Sequence, residues 1–407
     1  MLRRIQEALV KYGKKVWVMY NVENLDKYFC KYISRNLSTS SICFISNKDI
    51  YILVSSLDAE NVTKLKYNHE KIHILVYDTN KELNEYIEDI IDKLKFPKDI
   101  CLSYSTMSDK STDILTHGDY VTIRNMLKRV YTKYSKKIKF TSAENIIYDV
   151  ESEKTKKQID RLKYISSITD EILKETFNNL KVGDTEIEIV QKTHSITKKV
   201  MQKYIGKNDI VSYHMAWENC PIVLTGENFL KGGHALPSNK PLKKGDTVYF
   251  DFGLEVEFKD EEKLYTDMQR MGYALKPGEI TAPSDIQKVF DTLVSAIDDG
   301  IEELKPGVKG YVIDEIVRNK ILKSGYPNYN HATGHSVGCK VHDIGAVISL
   351  KISKRAKLEL VENGVYTLEP RISIANGGSI EEMVLVTKYG GVPLCNTQKE
   401  IYLIVGD

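Results

Sequence analysis

The sequence predicts a chain of two domains, an α/β domain over residues 1–150 followed by an α+β domain over 151–407. Three observations carry that prediction. Before residue 150, short apolar runs alternate with amphipathic stretches, the pattern of strands and helices in turn. At Glu151 the texture changes to one long helical period, which places the domain boundary near 150. Beyond Tyr213 the chain becomes strand-rich and glycine-punctuated, returns to helices, and ends in hairpins.

In the first domain, strands are expected at Val16 to Tyr20, Ser41 to Ser46, Asp49 to Ser55, Ile72 to Asp78 and Ile100 to Tyr104. A helix near Lys81 to Lys95 sets Leu83, Ile87, Ile90, Ile91 and Leu94 on one face, charge on the other, and stops before Pro97. In the second domain, Ile159, Leu162, Ile165, Ile168, Ile172 and Phe177 mark a long helix closed by Gly183. A second helix runs from Thr185 toward Tyr204, and two more lie around Ser284 to Leu304 and Gly310 to Lys323. From Gly364 to Val405 the pattern is of strands, with a hairpin at Asn376-Gly377-Gly378.

A composition 42% hydrophobic and 28% charged is that of a folded globular protein and excludes a disordered or fibrous chain. Lys and Arg number 58 against 56 Asp and Glu, so the net charge of +2 offers no bulk field for nucleic acid or anionic lipid. No apolar run reaches the ~18 residues of a membrane span. The charged amphipathic start, MLRRIQEALVKYGKK, lacks the apolar core of a signal peptide. Six scattered cysteines without a CxxC pair argue against a disulfide framework or a cysteine zinc site and fit a reducing cytoplasm.

The chemistry concentrates late in the chain. His234, His331, His335 and His342 share a window with carboxylates at strand positions. Asp251 interrupts the apolar strand Thr247-Val248-Tyr249-Phe250-Asp251-Phe252, where an ionised carboxylate is costly unless paired or metal-bound. Glu369 ends Val365-Tyr366-Thr367-Leu368 before Pro370, and Glu381 precedes another alternating strand. Several buried acids need concentrated positive charge, and few basic residues flank them, so metal is the expected counter-charge. The glycines of His331-Ala332-Thr333-Gly334-His335-Ser336-Val337-Gly338 exclude the continuous helix of a HExxH zinc protease. Oxygen-dominated ligation with one imidazole suits manganese, iron, cobalt or zinc.

The segments His234-Ala235-Leu236-Pro237, Phe250-Asp251-Phe252-Gly253, Asp267-Met268-Gln269-Arg270, HATGHSVG with Val341-His342-Asp343, Thr367-Leu368-Glu369-Pro370 and Ile380-Glu381-Glu382 stand in a telling order. In that order and spacing they resemble the pita-bread metallopeptidases of family M24, specifically the Xaa-Pro dipeptidase (prolidase) and aminopeptidase P branch. The match covers 151–407, and the preceding α/β domain resembles the creatinase-type amino-terminal domain of that branch. The resemblance implies five metal ligands at Asp251, Asp267, His335, Glu369 and Glu381. Asp251 would hold one ion, His335 and Glu369 the other, and Asp267 and Glu381 would bridge. It also implies two divalent ions, manganese favoured, that activate water for hydrolysis of the bond before proline. Glu369 would move a proton to the leaving amine, and His234, His331 and His342 would contact substrate and developing charge. The expected protein is a cytoplasmic homodimer acting on short peptides with proline second, with no nucleic-acid or membrane partner. A methionine aminopeptidase-like exopeptidase, a creatinase-like hydrolase and a non-catalytic binding module are the alternatives.

Departures from the pattern are equally specific. Asp251 and Asp267 are sixteen positions apart, farther than is usual in the family, with an acidic stretch between them. A longer hairpin explains this, with Asp260, Glu261 and Glu262 as a solvated tip; the rival places Glu262 as ligand, but only Asp267 keeps the trailing Arg270. Ser379 stands where the family has an arginine, and Arg371 replaces the glycine after Glu-Pro, facing either the cavity as a compensating charge or solvent. His69 and His73 are expected in solvent, His194 at the surface, and His214, Tyr213 and Trp217 in the core. Cys220 has no histidine partner motif and is not expected to act as a nucleophile.

Overall fold

A computed structural model of the chain describes residues 2–64, 71–107, 109–233 and 235–405. His69 and His234 lie outside the described residues. The fold divides into two compact units, Met1–Glu151 and Ser152–Asp407.

The first unit is built on a six-stranded mixed sheet in the order Ile72–Tyr77, Ile50–Ser55, Ser41–Ser46, Val16–Asn21, Asp99–Leu102, Lys139–Ser142. The two central pairings, Val16–Asn21 with Ser41–Ser46 and that strand with Ile50–Ser55, are antiparallel, and the outer ones are parallel. The amphipathic helix occupies Asn80–Lys93, opened by a reciprocal capping box between Thr79 and Glu82. Its Leu83, Ile87, Ile90 and Ile91 join Ile123 and Leu127 of the helix His117–Lys133 over the sheet. Each such buried side chain contributes about 1.5–3 kcal/mol. His73 is exposed, stacked on Tyr51 and 3.2 Å from Asp49.

The second unit has two hydrophobic cores. The helices Lys156–Asn178 and Glu186–Met201, each started by a capping box, pack Leu162, Ile165, Ile172 and Ile189 against Phe250, Phe252, Leu254 and Met268. The helices Ser284–Glu302 and Gly310–Lys323 pack Phe290, Leu293, Ile313 and Val317 against Tyr366, Leu368, Ile380 and Val384. One sheet runs Tyr402–Ile404, Met268–Ala274, Thr247–Phe252, Ile222–Thr225; another runs Val365–Leu368, Glu382–Thr387, Gly390–Pro393. They are joined where Gln269 bridges Glu381. The long hairpin forms from Leu254–Phe258 and Lys263–Tyr265, flanked by Ile210–Met215.

At the tip of that hairpin Asp260 and Glu261 are exposed, as expected, and Glu262 is half-buried. The tip is tied down: Asp260 pairs with Lys157 and Arg161, and Glu262 with Arg161, whose guanidinium lies 4.0 Å from the Phe258 ring centre. Opposite charges on the first turns of Lys156–Asn178 pair with these carboxylates at the surface, and the lysine and arginine pull Asp260 down to about 2. His214, expected in the core, is exposed on its strand; His194 is exposed and bonded to the Cys220 carbonyl, while Tyr213 and Trp217 are half-buried against the first core.

Candidate metal centre

Strand pairing assembles the centre. Asp251 lies opposite Gln269 in the antiparallel pair, and Asp267 immediately precedes the partner strand. Glu381 enters beside Gln269, donating its backbone N–H to the Gln269 carbonyl at 3.1 Å. Glu369 follows Val365–Leu368, and His335 packs next to it because Gly334 carries no side chain: a Cβ there would sit 1.9 Å from the Thr367 carbonyl. Gly253 serves similarly beside Asp251, with only 2.1 Å between a Cβ and the Thr266 carbonyl.

His335 Nε2 lies 3.5 Å from Asp267, 3.8 Å from Glu369 and 3.9 Å from Glu381. Ligand atoms of Asp267, His335 and Glu381 fall within 4.8 Å of one another, the spacing of groups that share an ion. Asp251 stands beside Asp267, one oxygen accepting from the Tyr249 hydroxyl at 3.0 Å. Glu262, the rival to Asp267, is bound to Arg161 and Gln158 instead.

Electrostatics supports a cation here. Burial pushes Asp251, Asp267, Glu369 and Glu381 upward, and the neighbouring carboxylates push Asp251, Glu369 and Glu381 further. Both Glu381 oxygens and Asp251 Oδ1 are buried without a hydrogen-bond partner among the described residues. No described lysine or arginine pairs with these four acids; Arg270 turns its charge to Glu382 and Asp170 and touches only the carbonyls of Gln269 and Glu381. Unpartnered anionic oxygens around one imidazole are the donor set a hard or borderline divalent ion completes, so the residues fit such a group.

The outer histidines divide. His342 presents its ring edge-on to His335, centroids 4.4 Å apart. His331 is held by its neighbours: Nδ1 is 2.7 Å from the Ala332 carbonyl, and the ring lies 4.9 Å from Tyr329. Arg318 clamps this loop, donating to the carbonyls of Tyr329 and His331, while Asp314 accepts from Thr333. His234 falls on undescribed sequence.

Arg371 does not face solvent. It is 4% exposed, stacked 3.5 Å from the Phe229 ring centre, and its Nη2 donates to the Phe229 carbonyl. Ser379 is its cross-strand neighbour. Sequence reasoning passed over Tyr249, which shares a strand face with Asp251, and Gln269, which shares one with Asp267; alternation was the available signal for both.

The chain belongs to metallopeptidase family M24, whose pattern matches residues 160–388. The "Xaa-Pro dipeptidase" of Pyrococcus horikoshii is 26% identical over 298 residues, 72% of this chain and 75% of that one. The "Putative dipeptidase YkvY" of Bacillus subtilis is 30% identical over 271 residues, 65% of this chain and 66% of its own length. Among solved structures, an X-Pro aminopeptidase from Thermotoga maritima superposes with a TM-score of 0.61 at 20% identity, covering 98% of this chain and 99% of that one. The prolidase from Pyrococcus horikoshii gives 0.61 at 22%, covering 98% and 99%. The fold is therefore an α/β amino-terminal domain followed by a pita-bread domain, and the protein is a metallo-exopeptidase of the prolidase and aminopeptidase P branch that uses divalent metal. Among the described residues no helix is long and apolar enough to cross a membrane.

Proposed function

We propose that this enzyme hydrolyses the peptide bond preceding proline in Xaa-Pro dipeptides, using two divalent ions, manganese favoured. The observation that carries the proposal is the group of four carboxylates, three of them buried, and one buried imidazole, with oxygens of Asp251 and Glu381 left unpartnered, in an M24 fold. Asp251 would hold one ion, His335 and Glu369 the other, with Asp267 and Glu381 shared. When bound, the ions acidify water and stabilise the oxyanion. The chain's own residues do the rest. Glu369, beside His335, would take the proton released by the attacking water and pass it to the leaving imino nitrogen. His342, whose ring meets the imidazole ligand, would contact the substrate carbonyl, with His331 and His234 in the same role. The unit Met1–Glu151 serves as the creatinase-type amino-terminal domain, and the enzyme works as a cytoplasmic homodimer.

Metal analysis of the purified protein is expected to give close to two equivalents of transition metal. Hydrolysis of an Xaa-Pro dipeptide measured beside an Xaa-Pro tripeptide, with Mn2+, Co2+, Zn2+ and Fe2+, is expected to favour the dipeptide. Preference for the tripeptide would make the enzyme an aminopeptidase, and absence of both activities with metal bound would overturn the proposal.

A further inference from the structure

Gln269 lies on a strand buried along its whole length, where a primary amide is costly unless both of its ends are bonded. Both are. Its Oε1 accepts from the Ser379 hydroxyl at 2.6 Å, and its Nε2 donates to Glu369 Oε2 at 3.1 Å. Its main chain is equally engaged, the carbonyl accepting from Glu381 N–H and from Arg270. One residue thus touches the carboxylate of Glu369 and the backbone of Glu381, on two different segments.

We propose that Gln269 and Ser379 form a positioning pair that holds the Glu369 carboxylate with one oxygen turned to the carboxylate and histidine cluster. Glu369 closes a strand just before Pro370, and rotation about its last side-chain bond would turn the plane of its carboxylate away from the cluster. The amide donor on Oε2 removes that freedom and leaves Oε1 facing His335 Nε2, 3.8 Å away. The carboxylate, which only accepts, takes the NH2 end of the amide, and the Ser379 hydroxyl, 2.6 Å from Oε1, holds the other end in place. The serine is itself anchored, with the Pro370 carbonyl 2.9 Å from its oxygen and Arg371 opposite it in register. This gives a function to the departure at position 379. A serine there leaves the pair uncharged, and a neutral amide orients the acid without competing with a cation for it.

The inference rests on the proposed function, and its test separates the two. Gln269→Met keeps the volume and removes both bonds; Ser379→Ala removes only the hydroxyl. For Xaa-Pro hydrolysis, Gln269→Met is expected to lower kcat by about 10- to 100-fold with KM within about threefold of wild type. Ser379→Ala is expected to lose less, and the double variant to lose no more than Gln269→Met alone, because both act through one hydrogen bond to Glu369. The second readout needs no turnover. In Co2+ titrations followed by visible absorption, each variant is expected to weaken Co2+ affinity with unchanged saturating stoichiometry, and the double variant again to match Gln269→Met. Additive losses, wild-type behaviour of Gln269→Met, or a change in KM alone would overturn the pair. A wild-type enzyme that cleaves no Xaa-Pro peptide, alongside non-additive Co2+ affinities, would remove the proposed function and leave the pair standing.

Discussion

Asp58 in the first unit and Glu381 in the second are nearly equally buried carboxylates, 2% and 1% exposed, with opposite fates. Burial works against the charge of both. Around Asp58, four donors outweigh it: the backbone N–H and hydroxyl of Ser38 and of Thr39 pull the carboxyl below its ordinary range. Both Glu381 oxygens are buried without a hydrogen-bond partner of good geometry among the described residues, and burial with Asp267, Glu369 and Asp251 pushes it well above that range against a smaller opposing pull from Thr367. The first is a structural acid whose loop was folded to satisfy it. The second is left unsatisfied, at a cost that a proton or, under the proposed function, a bound cation would offset, and this is how a binding site differs from a well-made core.

The largest expected effect tests that contrast directly. Glu381→Gln is expected to abolish turnover, roughly a thousandfold or more, and to lose bound metal, while raising the melting temperature of the chelated protein. Asp58→Asn is expected to do the reverse, costing about 1–3 kcal/mol in denaturant unfolding with turnover per folded molecule unchanged. If both variants lose only stability, Glu381 is no more than another core acid.

Next in size, Asp267→Asn is expected to lower kcat/KM by roughly a hundredfold or more, and Glu262→Gln by less than about threefold, since Glu262 belongs to Arg161. Equal losses in parallel kinetic assays would place the hairpin acid in the centre. His342→Ala and His331→Ala are expected to keep full metal content by elemental analysis and to lose about 10- to 100-fold in kcat. Loss of metal in either would move that histidine into the ligand set.

The smallest effect is on stability against pH. In the chelated protein, Asp267 is raised to about 7 and Glu369 to about 8, both by burial, from ordinary values near 4. A raised carboxyl binds its proton more tightly folded than unfolded, so its contribution is complete below about pH 4 and is lost as pH climbs through 7 and 8. The chelated protein is therefore expected to melt lower at pH 8.5 than at pH 6, and added Mn2+ to recover more at the higher pH. A melting temperature that rises with pH in chelator would mean that these acids are satisfied without metal.

Much of this was legible in the chain. The helix Asn80–Lys93 was readable because a one-sided apolar stripe between a cap and a proline depends on local spacing alone. Asp251 announced itself as a charge inside an apolar strand. Arg371 was not resolved, because nothing local distinguishes an arginine in solvent from one stacked on Phe229, which is 142 positions away in sequence. The pairing of Asp260 and Glu262 was hidden for the same reason: Arg161 reaches them from a helix about a hundred residues earlier.

The sequence by itself determined the order of elements and the positions where carboxylates meet apolar strands, which periodicity carries, and the resemblance to M24, which rests on the identity and order of particular residues. Tertiary structure alone decided which acids share a site. Asp267, His335 and Glu381 converge because three strands end at one point, and the register of Gln269 with Asp251 and Glu381 sets that point. It also decided that Ser379 meets Gln269 and Gln269 meets Glu369, for hydrogen bonds across a hundred residues or more depend on strand pairing that no local pattern encodes.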